Sequence, residues 1–379
     1  MYMEVIVKVA ETCNLNCTYC YYFNSTNNDF QEKKKLIGKS TLSELSLFLA
    51  RESIERKIKI LQLDIHGGEP LLMSKNLLDD FLGDVKKTID ASTELKVALQ
   101  TNGVLIDDDW IDVFSKHNVC VSISLDGSAD EHDKFRLDKK GKGSYHAAIA
   151  GLGRLQRASL AGRILPNGII CVVNGNFDGE KIYNHFVKEL GVKYIHYLLP
   201  ECNHDVVVAN QVKNIEKFII ETLHAWLNDG IGKVKVQMFE TALGKLMRKR
   251  NAIYEYIGFT VRSDGAINPP DDLRNVFPSL FHSDFNVKTN SVNDFIERED
   301  ISILYGELSS IPEACKDCAF VNVCRGGQVF GQPENRFSTR NGLNNKSVYC
   351  EVYKALYVEL CKYLYGRGIG WERIEKNLQ

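Results

Sequence analysis

The chain has 379 residues, 44% of them apolar, which is enough for a sizeable core and about two to three domains. Its net charge of −2 gives no electrostatic reason to bind nucleic acid or a membrane surface. No stretch approaches the ~20 apolar residues that a membrane-spanning helix needs, and no signal peptide opens the chain. The eleven cysteines are therefore expected to be thiolate metal ligands in a reducing cytoplasm rather than disulfides.

Short β-rich segments alternate with amphipathic helical segments from the start of the chain to about residue 200. Strands are predicted at Val5–Ala10, Lys59–Ile65, Leu95–Leu99, Val119–Ser124, Gly168–Val173 and Tyr194–Leu198. Helices are predicted at Leu42–Arg56, Asn76–Ile89 and Tyr145–Leu155, and Thr41–Glu44 has the pattern of a capping box. Six such repeats predict an α/β fold with a parallel sheet, but are too few for a closed barrel of eight units.

Three cysteines follow the first predicted strand in the pattern CxxxCxxC: Cys13, Cys17 and Cys20. Three thiolates at this spacing can bind three irons of a [4Fe–4S] cluster and leave the fourth iron open. A cluster that only transfers electrons usually has four protein ligands, so an open iron indicates chemistry at the cluster. The alternatives are a zinc loop or three unrelated thiols, although zinc sites usually show paired CxxC or mixed Cys/His sets.

With the aromatic Tyr19 directly before its third cysteine, this motif resembles that of the radical S-adenosylmethionine (SAM) family. In that family the cluster binds SAM and cleaves it to a 5′-deoxyadenosyl radical. The resemblance implies SAM and a [4Fe–4S] cluster as cofactors. It also implies a partial (β/α)6 TIM-like barrel, with the active groups at the carboxyl ends of the strands.

Four further strings, at or beyond the ends of predicted strands two to four, resemble the family's SAM-binding elements. HGGEP resembles the element that holds the SAM amino group, QTNG and SISLDG resemble elements beside it, and HDKFR resembles the segment whose arginine pairs with the SAM carboxylate. The alternatives are an ordinary glycine turn, serines satisfied in the core and a surface arginine. The resemblance implies these SAM-binding residues: Gly67, Gly68, Glu69, Pro70, Asn102, Ser124, Asp126 and Arg136.

The carboxyl-terminal third has a second set of cysteines, which together with the string VRSDGAINPPDDLR resembles the SPASM region of peptide maturases. It departs from that pattern because Pro270 stands where a cysteine is expected and none closely follows Gly327. We therefore expect one auxiliary [4Fe–4S] cluster, with structural zinc as the alternative. Its predicted ligands are Cys315, Cys318, Cys324 and Cys350.

Three domains follow from these patterns. They are a radical SAM partial barrel over 1–209, a helical bridge over 210–254 and a SPASM-like auxiliary cluster domain over 255–379. The bridge contains helical patterns at Asn214–Leu227 and Val236–Lys249. The other cysteines in apolar surroundings are expected to be core thiols: Cys120, Cys171 and Cys361.

The string LLPECNHD, taken with the reduced cysteine set, resembles the maturases that form cyclophanes in ribosomally synthesised and post-translationally modified peptides (RiPPs). These oxidoreductases join an aromatic ring carbon to the Cβ of a residue two positions away. Asp271, directly after Pro270, resembles in its position a proposed base of the related sulfatase maturases and is expected to remove the ring proton, with Asp272 and His204 as alternatives. A sulfatase-type or thioether-forming maturase is a second interpretation, and a non-catalytic iron–sulfur or zinc scaffold or sensor is a third.

The implied partners are a precursor peptide, made of a leader and a core, and a reductant such as flavodoxin or ferredoxin. Neither nucleic acid nor a membrane is expected. The first strand begins near residue 5, so no amino-terminal peptide-binding domain is expected. The leader would then bind at an exposed sheet edge or be presented by a separate leader-binding protein.

Overall fold

The computed structural model describes residues 1–247 and 255–378. In this part of the chain the strands are β1 Tyr2–Ala10, β2 Ile60–Gly67, β3 Glu94–Thr101, β4 Val119–Ser124, β5 Gly168–Val172, β6 Tyr194–Leu198, β7 Lys235–Val236, β8 Tyr256–Val261 and β9 Ile267–Asn268.

The helices of the described residues alternate with these strands and then dominate the carboxyl-terminal part. They are α1 Lys39–Glu55, α2 Lys75–Thr88, α3 Asp108–His117, α4 Ala129–His132, α5 Tyr145–Leu160, α6 Gly179–Asn184, α7 Ala209–Asp229, α8 Gln237–Leu246, α9 Val292–Ile296, α10 Glu299–Ser309, α11 Val321–Cys324, α12 Cys350–Gly366 and α13 Trp371–Leu378. Among the described helices, none combines the length and the apolar character needed to cross a membrane.

The chain forms two compact units, and the described residues of the first are 1–125, 129–168 and 255–302. Its sheet has the strand order β4-β3-β2-β1-β8-β9. Strands β1 to β4 are parallel, β8 runs parallel to β1 in the register Tyr2↔Tyr256, and β9 is antiparallel to β8. Parallel strands bring their carboxyl ends to one edge, so the loops that follow β1 to β4 lie side by side.

Apolar burial explains why β1 lies inside this sheet. Met3, Val5, Val7 and Val9 share one face of β1 and have no exposed surface, whereas Tyr2, Glu4 and Ile6 on the other face are partly exposed. Lys8 on the same strand is equally buried, although its charge makes burial costly. A fully buried lysine in a β-strand requires partners, which the candidate site below supplies.

The described residues of the second unit are 126–128, 169–247 and 303–378. Its strands β5, β6 and β7 are parallel neighbours, covered by α6, α7, α8 and α12. Helices α6 and α7 approach so closely that a Cβ at Gly179 would lie 2.2 Å from the carbonyl oxygen of Phe218. The Trp226 indole is buried beneath α7 and donates to the Val234 carbonyl at 2.8 Å.

The predicted alternation of strands and helices is confirmed, and the six predicted strands correspond to β1 to β6. The parallel strand β8 beside β1 was not predicted. The predicted helix Val236–Lys249 corresponds to α8, with its last residues outside the described residues. The domain boundaries at 209 and 254 stay a prediction.

Two local predictions were wrong. Helix α1 begins at Lys39 with Gly38 as its N-cap and no side-chain cap, because the helix starts before Thr41 and already includes that residue. Cys120 is exposed on β4, since Val119 and Val121 point to the core and strand alternation turns Cys120 outward. Cys171 and Cys361 are buried, as predicted.

A buried ionic network lies between the segment after β1 and the segments around β8 and β9. The guanidinium of Arg262 donates to Glu11 Oε1 at 2.9 Å and to Asp29 Oδ2 at 2.7 Å. Arg274 also pairs with Asp29, and Tyr22 donates to Glu11. These side chains are at most a few per cent exposed, so removing one partner would leave a buried charge without compensation.

We expect Arg262→Met to lower the free energy of unfolding by ~3–5 kcal/mol, because Glu11 would lose its buried cation and Asp29 would keep only Arg274. Urea unfolding monitored by circular dichroism measures this loss. The matched control is Arg298→Met, since Arg298 pairs with Asp300 near the surface and such pairs contribute ~1 kcal/mol at most. Equal losses in the two variants would contradict a structural role for the buried network.

Candidate active site

The cysteine loop begins where β1 ends and is held by backbone hydrogen bonds. Asn16 and Thr18 donate their backbone amides to the carbonyl oxygens of Leu137 and Phe135, at 2.7 and 2.9 Å. None of the three cysteines of the loop forms a disulfide, and each is partly buried. These bonds hold the loop in place between Cys13 and Cys17 and again between Cys17 and Cys20.

The electrostatics of the loop suit binding to cationic iron. Burial raises the pKa of the Cys13 thiol to about 12, with further contributions from Glu69 and from the thiols of Cys17 and Cys20. Because the thiols of Cys17 and Cys20 contribute to the raised pKa of Cys13, the three lie close together, and a bound metal cation would favour the thiolate of Cys13 instead. The residues present therefore fit a cluster held by Cys13, Cys17 and Cys20.

The glycine pair of HGGEP is required by its approach to the strand that leads into the cysteine loop. A Cβ at Gly67, whose φ is +143°, would lie 2.3 Å from the Ala10 carbonyl oxygen, and one at Gly68 would lie 2.3 Å from that of Thr12. The Gly68 amide donates to Ala10 at 2.7 Å. Only glycine permits this contact, which places the element directly beside Cys13.

Glu69 ties the ends of β2 and β3 together. Its buried carboxylate accepts hydrogen bonds from the Leu71 amide at 3.0 Å, the Thr101 hydroxyl at 2.7 Å and the Asn102 amide at 2.8 Å. Burial nevertheless raises its pKa to about 7. Pro70 opens the short 3₁₀ turn Pro70–Leu72 that Glu69 caps. These contacts position the backbone around the element.

Asn102 links the end of β3 to the cysteine loop. Its amide nitrogen donates to Asn14 Oδ1 at 2.7 Å and lies 3.9 Å from the Cys13 sulfur. Its side-chain oxygen accepts from the Val104 amide at 3.0 Å. Asn102 therefore lies beside the first predicted cluster ligand, although its role toward SAM stays a prediction.

A row of polar side chains crosses the carboxyl ends of β1 to β4. Lys8 Nζ lies 2.9 Å from His66 Nδ1, His66 Nε2 lies 3.1 Å from Gln100 Oε1, and Gln100 Nε2 lies 3.4 Å from Ser124 Oγ. Because an ammonium group can only donate, His66 accepts at Nδ1, and its Nε2 carries the proton given to Gln100. The row is therefore a directed chain of donors from Lys8 to Ser124.

Asp271 closes this polar row at the β1 side. Its Oδ2 accepts from Lys8 Nζ and from the Tyr21 hydroxyl, each at 2.5 Å. Its Oδ1 is buried and has no hydrogen-bond partner among the described residues. Burial alone would raise the pKa of Asp271, but Lys8, Arg274 and His66 hold it well below the usual range of a carboxyl group.

The His66 imidazole is neutral in this arrangement. Removal from water, and then the Lys8 charge, lower the pKa of His66 to about 3. Burial also lowers the pKa of Lys8, whereas Asp271 acts in the opposite direction. Lys8 and Asp271 are thus the charged residues of this row, and the neutral His66 connects Lys8 to Gln100 by hydrogen bonds.

Sequence reasoning singled out Asp271 and Ser124 but missed the side chains that connect them, which are Lys8, Tyr21, His66 and Gln100. A signal was present at two positions. Lys8 is the single charge in the apolar run Val5–Ala10, and His66 directly precedes the glycine pair. Neither signal indicates which strands become neighbours, so the hydrogen bonds that connect these side chains could not be predicted from local patterns.

Arg136 and Asp126 have different surroundings. Arg136 is buried, with its guanidinium carbon 5.4 Å from the centre of the Tyr19 ring. Asp126 belongs to the second unit, where its Oδ1 accepts from the Val172 amide at 3.0 Å and supports the end of β5. The roles of both residues toward SAM stay predictions.

The four carboxyl-terminal cysteines line one cavity of the second unit. Its walls contain Cys315, Cys318, Cys324 and Cys350, with Lys346, Lys354 and the rings of Phe320, Tyr353 and Tyr357. All four thiols are free. The donor set suits a four-thiolate site, and the two lysines favour thiolates at Cys350, whose pKa is otherwise raised by burial.

Glycine is required at the turn that follows Cys324. Gly326 has a φ of +70°, and a Cβ there would lie 2.7 Å from Pro312 Cδ and 3.6 Å from the Cys315 sulfur. Gly327 follows with a φ of +95°. This turn fixes how Cys324 approaches Cys315 within the cavity.

The LLPECNHD segment, Leu198–Asp205, is bound to the chain between Cys324 and Cys350. The Leu199 carbonyl accepts from Gln332 at 2.7 Å, and the Pro200 carbonyl accepts from the Tyr349 hydroxyl at 2.8 Å. His204 donates from Nε2 to the Lys346 carbonyl at 2.7 Å. This contact leaves Nδ1 as the acceptor nitrogen of His204, and a role as base stays a prediction.

Comparison with known proteins is consistent with this geometry. The profile of the Radical SAM superfamily matches residues 7–182. A cysteine-type anaerobic sulfatase-maturating enzyme from Clostridium novyi is 27% identical over 94% of this chain and 94% of that protein. An uncharacterised protein from Methanocaldococcus jannaschii is 30% identical over 57% of this chain and 70% of that protein.

A solved structure described as native anSMEcpe with bound AdoMet and Kp18Cys peptide superposes with a TM-score of 0.79. It covers 97% of this chain and 98% of that chain at 21% identity. This likeness confirms the predicted α/β fold with a partial barrel. Residues 7–182 thus resemble the radical SAM superfamily, and the chain is an enzyme that uses SAM and a [4Fe–4S] cluster.

Proposed function

We propose that this enzyme is a peptide maturase that removes a Cβ hydrogen from a ribosomally made precursor and joins that carbon to a nearby aromatic ring. When bound, SAM at the cluster supplies the hydrogen-abstracting 5′-deoxyadenosyl radical. The proposal depends chiefly on Asp271, a buried carboxylate with one oxygen held by Lys8 and Tyr21 and the other without a hydrogen-bond partner in the part of the chain that the structure describes. Joining the ring releases one electron and one proton, and Asp271 is the proton acceptor.

The strength of this base supports the cyclophane reaction in particular. Lys8 and Arg274 keep the pKa of Asp271 well below that of an ordinary carboxyl group, so Asp271 is a weak base. A weak base is sufficient when an aromatic ring has gained a substituent at a protonated carbon, because loss of that proton restores aromaticity. Deprotonation of a free thiol, whose ordinary pKa is about 8.5, needs a stronger base.

The other residues of the site have binding and orienting roles in this proposal. Cys13, Cys17 and Cys20 hold the cluster, and the backbone at Gly67 and Gly68 lies beside it. The polar row from Lys8 to Ser124 orients donors along the floor of the first unit's site. These residues position the peptide Cβ and exclude water, which would otherwise compete for a reactive radical.

We assign the carboxyl-terminal cavity to one auxiliary [4Fe–4S] cluster held by Cys315, Cys318, Cys324 and Cys350. Four free thiols around one space, with two lysines in its wall, support this assignment. Such a cluster is the natural acceptor for the electron that leaves the product. A single set of four thiolates, without the further cysteines of a full SPASM region, also supports the cyclophane-forming type.

Formation of formylglycine, as in sulfatase maturation, is the second candidate. It is favoured by the cysteine-type relative, which aligns over 94% of both chains. This reaction would also use a Cβ radical and an auxiliary electron acceptor. The two candidates differ in what lies beside the radical, which is an aromatic ring in one and the substrate's own sulfur or oxygen in the other.

Mass spectrometry of a co-expressed precursor peptide distinguishes the candidates. A cyclophane removes two hydrogens per crosslink and leaves the peptide unreactive toward hydrazides, whereas formylglycine gives an aldehyde that reacts with them. We expect the first result, with fragmentation blocked between an aromatic residue and the residue two positions away. A hydrazide-reactive product would reject the cyclophane proposal in favour of the second candidate.

Variants at the auxiliary site separate the two cysteine sets. We expect Cys315→Ala and Cys350→Ala to retain part of the uncoupled 5′-deoxyadenosine formation and to lose most of the peptide product. The matched control is Cys361→Ala, because Cys361 is a buried thiol of α12 outside the cavity lining. Complete loss of iron in the Cys315 and Cys350 variants would show that the two sites are wrongly partitioned.

A further inference from the structure

A groove of the first unit opens beside the cysteine loop and has a volume of about 610 Å³. Cys13 is in its wall, with Thr12, Asn16, Phe23 and Phe30. The predicted SAM-binding residues do not line it, and the proposed base Asp271 does not line it either. The groove is therefore a separate opening that leads from the surface to the first predicted cluster ligand.

Two lysine-rich segments form the rim of this groove. The segments QEKKKL, residues 31–36, and LDKKGKG, residues 137–143, contain six lysines and only two carboxylates, Glu32 and Asp138. Backbone bridges from Ala10 to Leu36 and from Leu15 to Asp138 place both segments next to the cysteine loop. The net charge of these two segments is +4 in a chain whose total is −2.

Three of the lysines, Lys33, Lys35 and Lys139, line the groove itself. Lys33 pairs with Asp264 at 2.8 Å, so its charge is partly neutralised, whereas Lys35 and Lys139 are exposed. Exposed like charges at the mouth of a concave surface produce a positive potential that attracts an acidic macromolecule. The aromatic rings of Phe23 and Phe30 add an apolar wall below this charged rim.

The cysteine loop also reaches the surface beside the rim, since Asn16 and Thr18 are exposed. A cluster on Cys13, Cys17 and Cys20 therefore lies a short distance from any protein that binds there. Electron transfer rates fall steeply with distance, so the donor must approach this side of the loop closely. Positive charge is concentrated where that approach is shortest.

We propose that this lysine-rimmed groove binds an acidic one-electron carrier protein that reduces the cluster. The inference depends on the use of SAM and a [4Fe–4S] cluster, and it is independent of which modification the enzyme makes in its peptide. The carrier loses one electron, the cluster gains it, and no covalent bond forms or breaks in the docked complex. Complementary charge mainly speeds association and selects the partner, and its effect decreases as salt increases.

The test uses the full-length protein with the double variant Lys35→Glu and Lys139→Glu. Flavodoxin is the probe, and its dissociation constant is measured by calorimetry with the cluster-free protein at low and at high ionic strength. We expect the variant to bind about tenfold or more weakly at low ionic strength, with little remaining salt dependence. The matched control is Lys86→Glu and Lys87→Glu, two exposed lysines of α2 that make the same change in total charge.

The second readout is 5′-deoxyadenosine formation by reconstituted enzyme, driven either by reduced flavodoxin or by dithionite. We expect the rim variant to lose about tenfold or more of the flavodoxin-driven rate and to keep the dithionite-driven rate. Equal binding and equal rates in the rim and control variants would overturn the proposal. Normal flavodoxin activity with loss of peptide modification would assign the groove to the peptide instead.

Discussion

Replacement of Cys13, Cys17 and Cys20 by alanine is expected to reduce 5′-deoxyadenosine formation to background. The three thiols lie on a loop that is hydrogen-bonded to neighbouring segments, for example from the Thr18 amide to the Phe135 carbonyl. Among the described residues of the first unit, the one other cysteine is Cys120, which is exposed on β4. The measurement uses anaerobically reconstituted protein with dithionite and SAM, followed by chromatography of the nucleoside product. Iron bound by the four carboxyl-terminal cysteines should remain.

Cys120→Ala provides the matched control for this triple variant. Cys120 is a free thiol on β4 in the same unit, and its side chain points outward. We expect its nucleoside formation to equal that of the unaltered enzyme. Substantial 5′-deoxyadenosine from the triple variant would disprove the assignment of the cluster to this loop.

Much of this site could be predicted from local sequence, because its elements follow strands directly. The cysteine loop follows β1, the glycine pair of HGGEP ends β2, and Asn102 follows β3. Parallel strands align their carboxyl ends, so motifs that are distant in sequence become neighbours without any knowledge of side-chain contacts. The hydrogen bond from the Glu69 amide to the Thr12 carbonyl, at 3.0 Å, is one result of that alignment.

The polar row could not be predicted in the same way. Its hydrogen bonds depend on the register of neighbouring strands, in which Lys8 faces His66 and Gln100 faces Ser122. Periodicity identifies a strand but does not specify which residue of the next strand lies opposite. The pairing of Lys8 with Asp271 is less accessible still, since the two residues are 263 positions apart and meet through the unpredicted strand β8.

Cys120 illustrates a limit of a different kind. The apolar run around Cys120 predicts that this thiol is buried. In the structure β4 alternates, so that Val119, Val121 and Ile123 are buried and Cys120 is exposed. Strand β1 alternates in the same way from Tyr2 to Val7, so Lys8 is exceptional as a fully buried charge on the face where Glu4 and Ile6 are partly exposed. A charged residue in such a strand is retained only with a compensating partner, and this makes Asp271 part of the fold as well as of the site.

Asp271→Asn is expected to abolish peptide product while 5′-deoxyadenosine continues to form. The asparagine retains the shape of the side chain and removes the proton acceptor, so hydrogen abstraction can occur but the ring proton is not removed. The measurement is the ratio of crosslinked peptide to 5′-deoxyadenosine under the same conditions. If crosslinking continued at an unchanged ratio, Asp271 could not be the base.

Lys8→Met is expected to make the same ratio depend on pH. In the unaltered enzyme Lys8 and Arg274 keep the pKa of Asp271 far below neutrality, so the base is ionised and the ratio should be constant between about pH 6 and 9. Without Lys8, burial raises the pKa of Asp271. The ratio should then fall as pH decreases, because the protonated acid cannot accept a proton.

Asp271 also contributes to stability with a defined sign, whereas the burial that lowers the pKa of Lys8 acts against stability at neutral pH. Because the folded-state pKa of Asp271 is lowered, its contribution is present above the unfolded-state value of about 3.9 and is lost as pH falls through the folded-state value. Lys8→Arg serves as the control, since it retains the cation and should restore a constant product ratio. A pH-independent ratio in Lys8→Met, with the protein folded by circular dichroism, would show that Lys8 does not set the ionisation of the base.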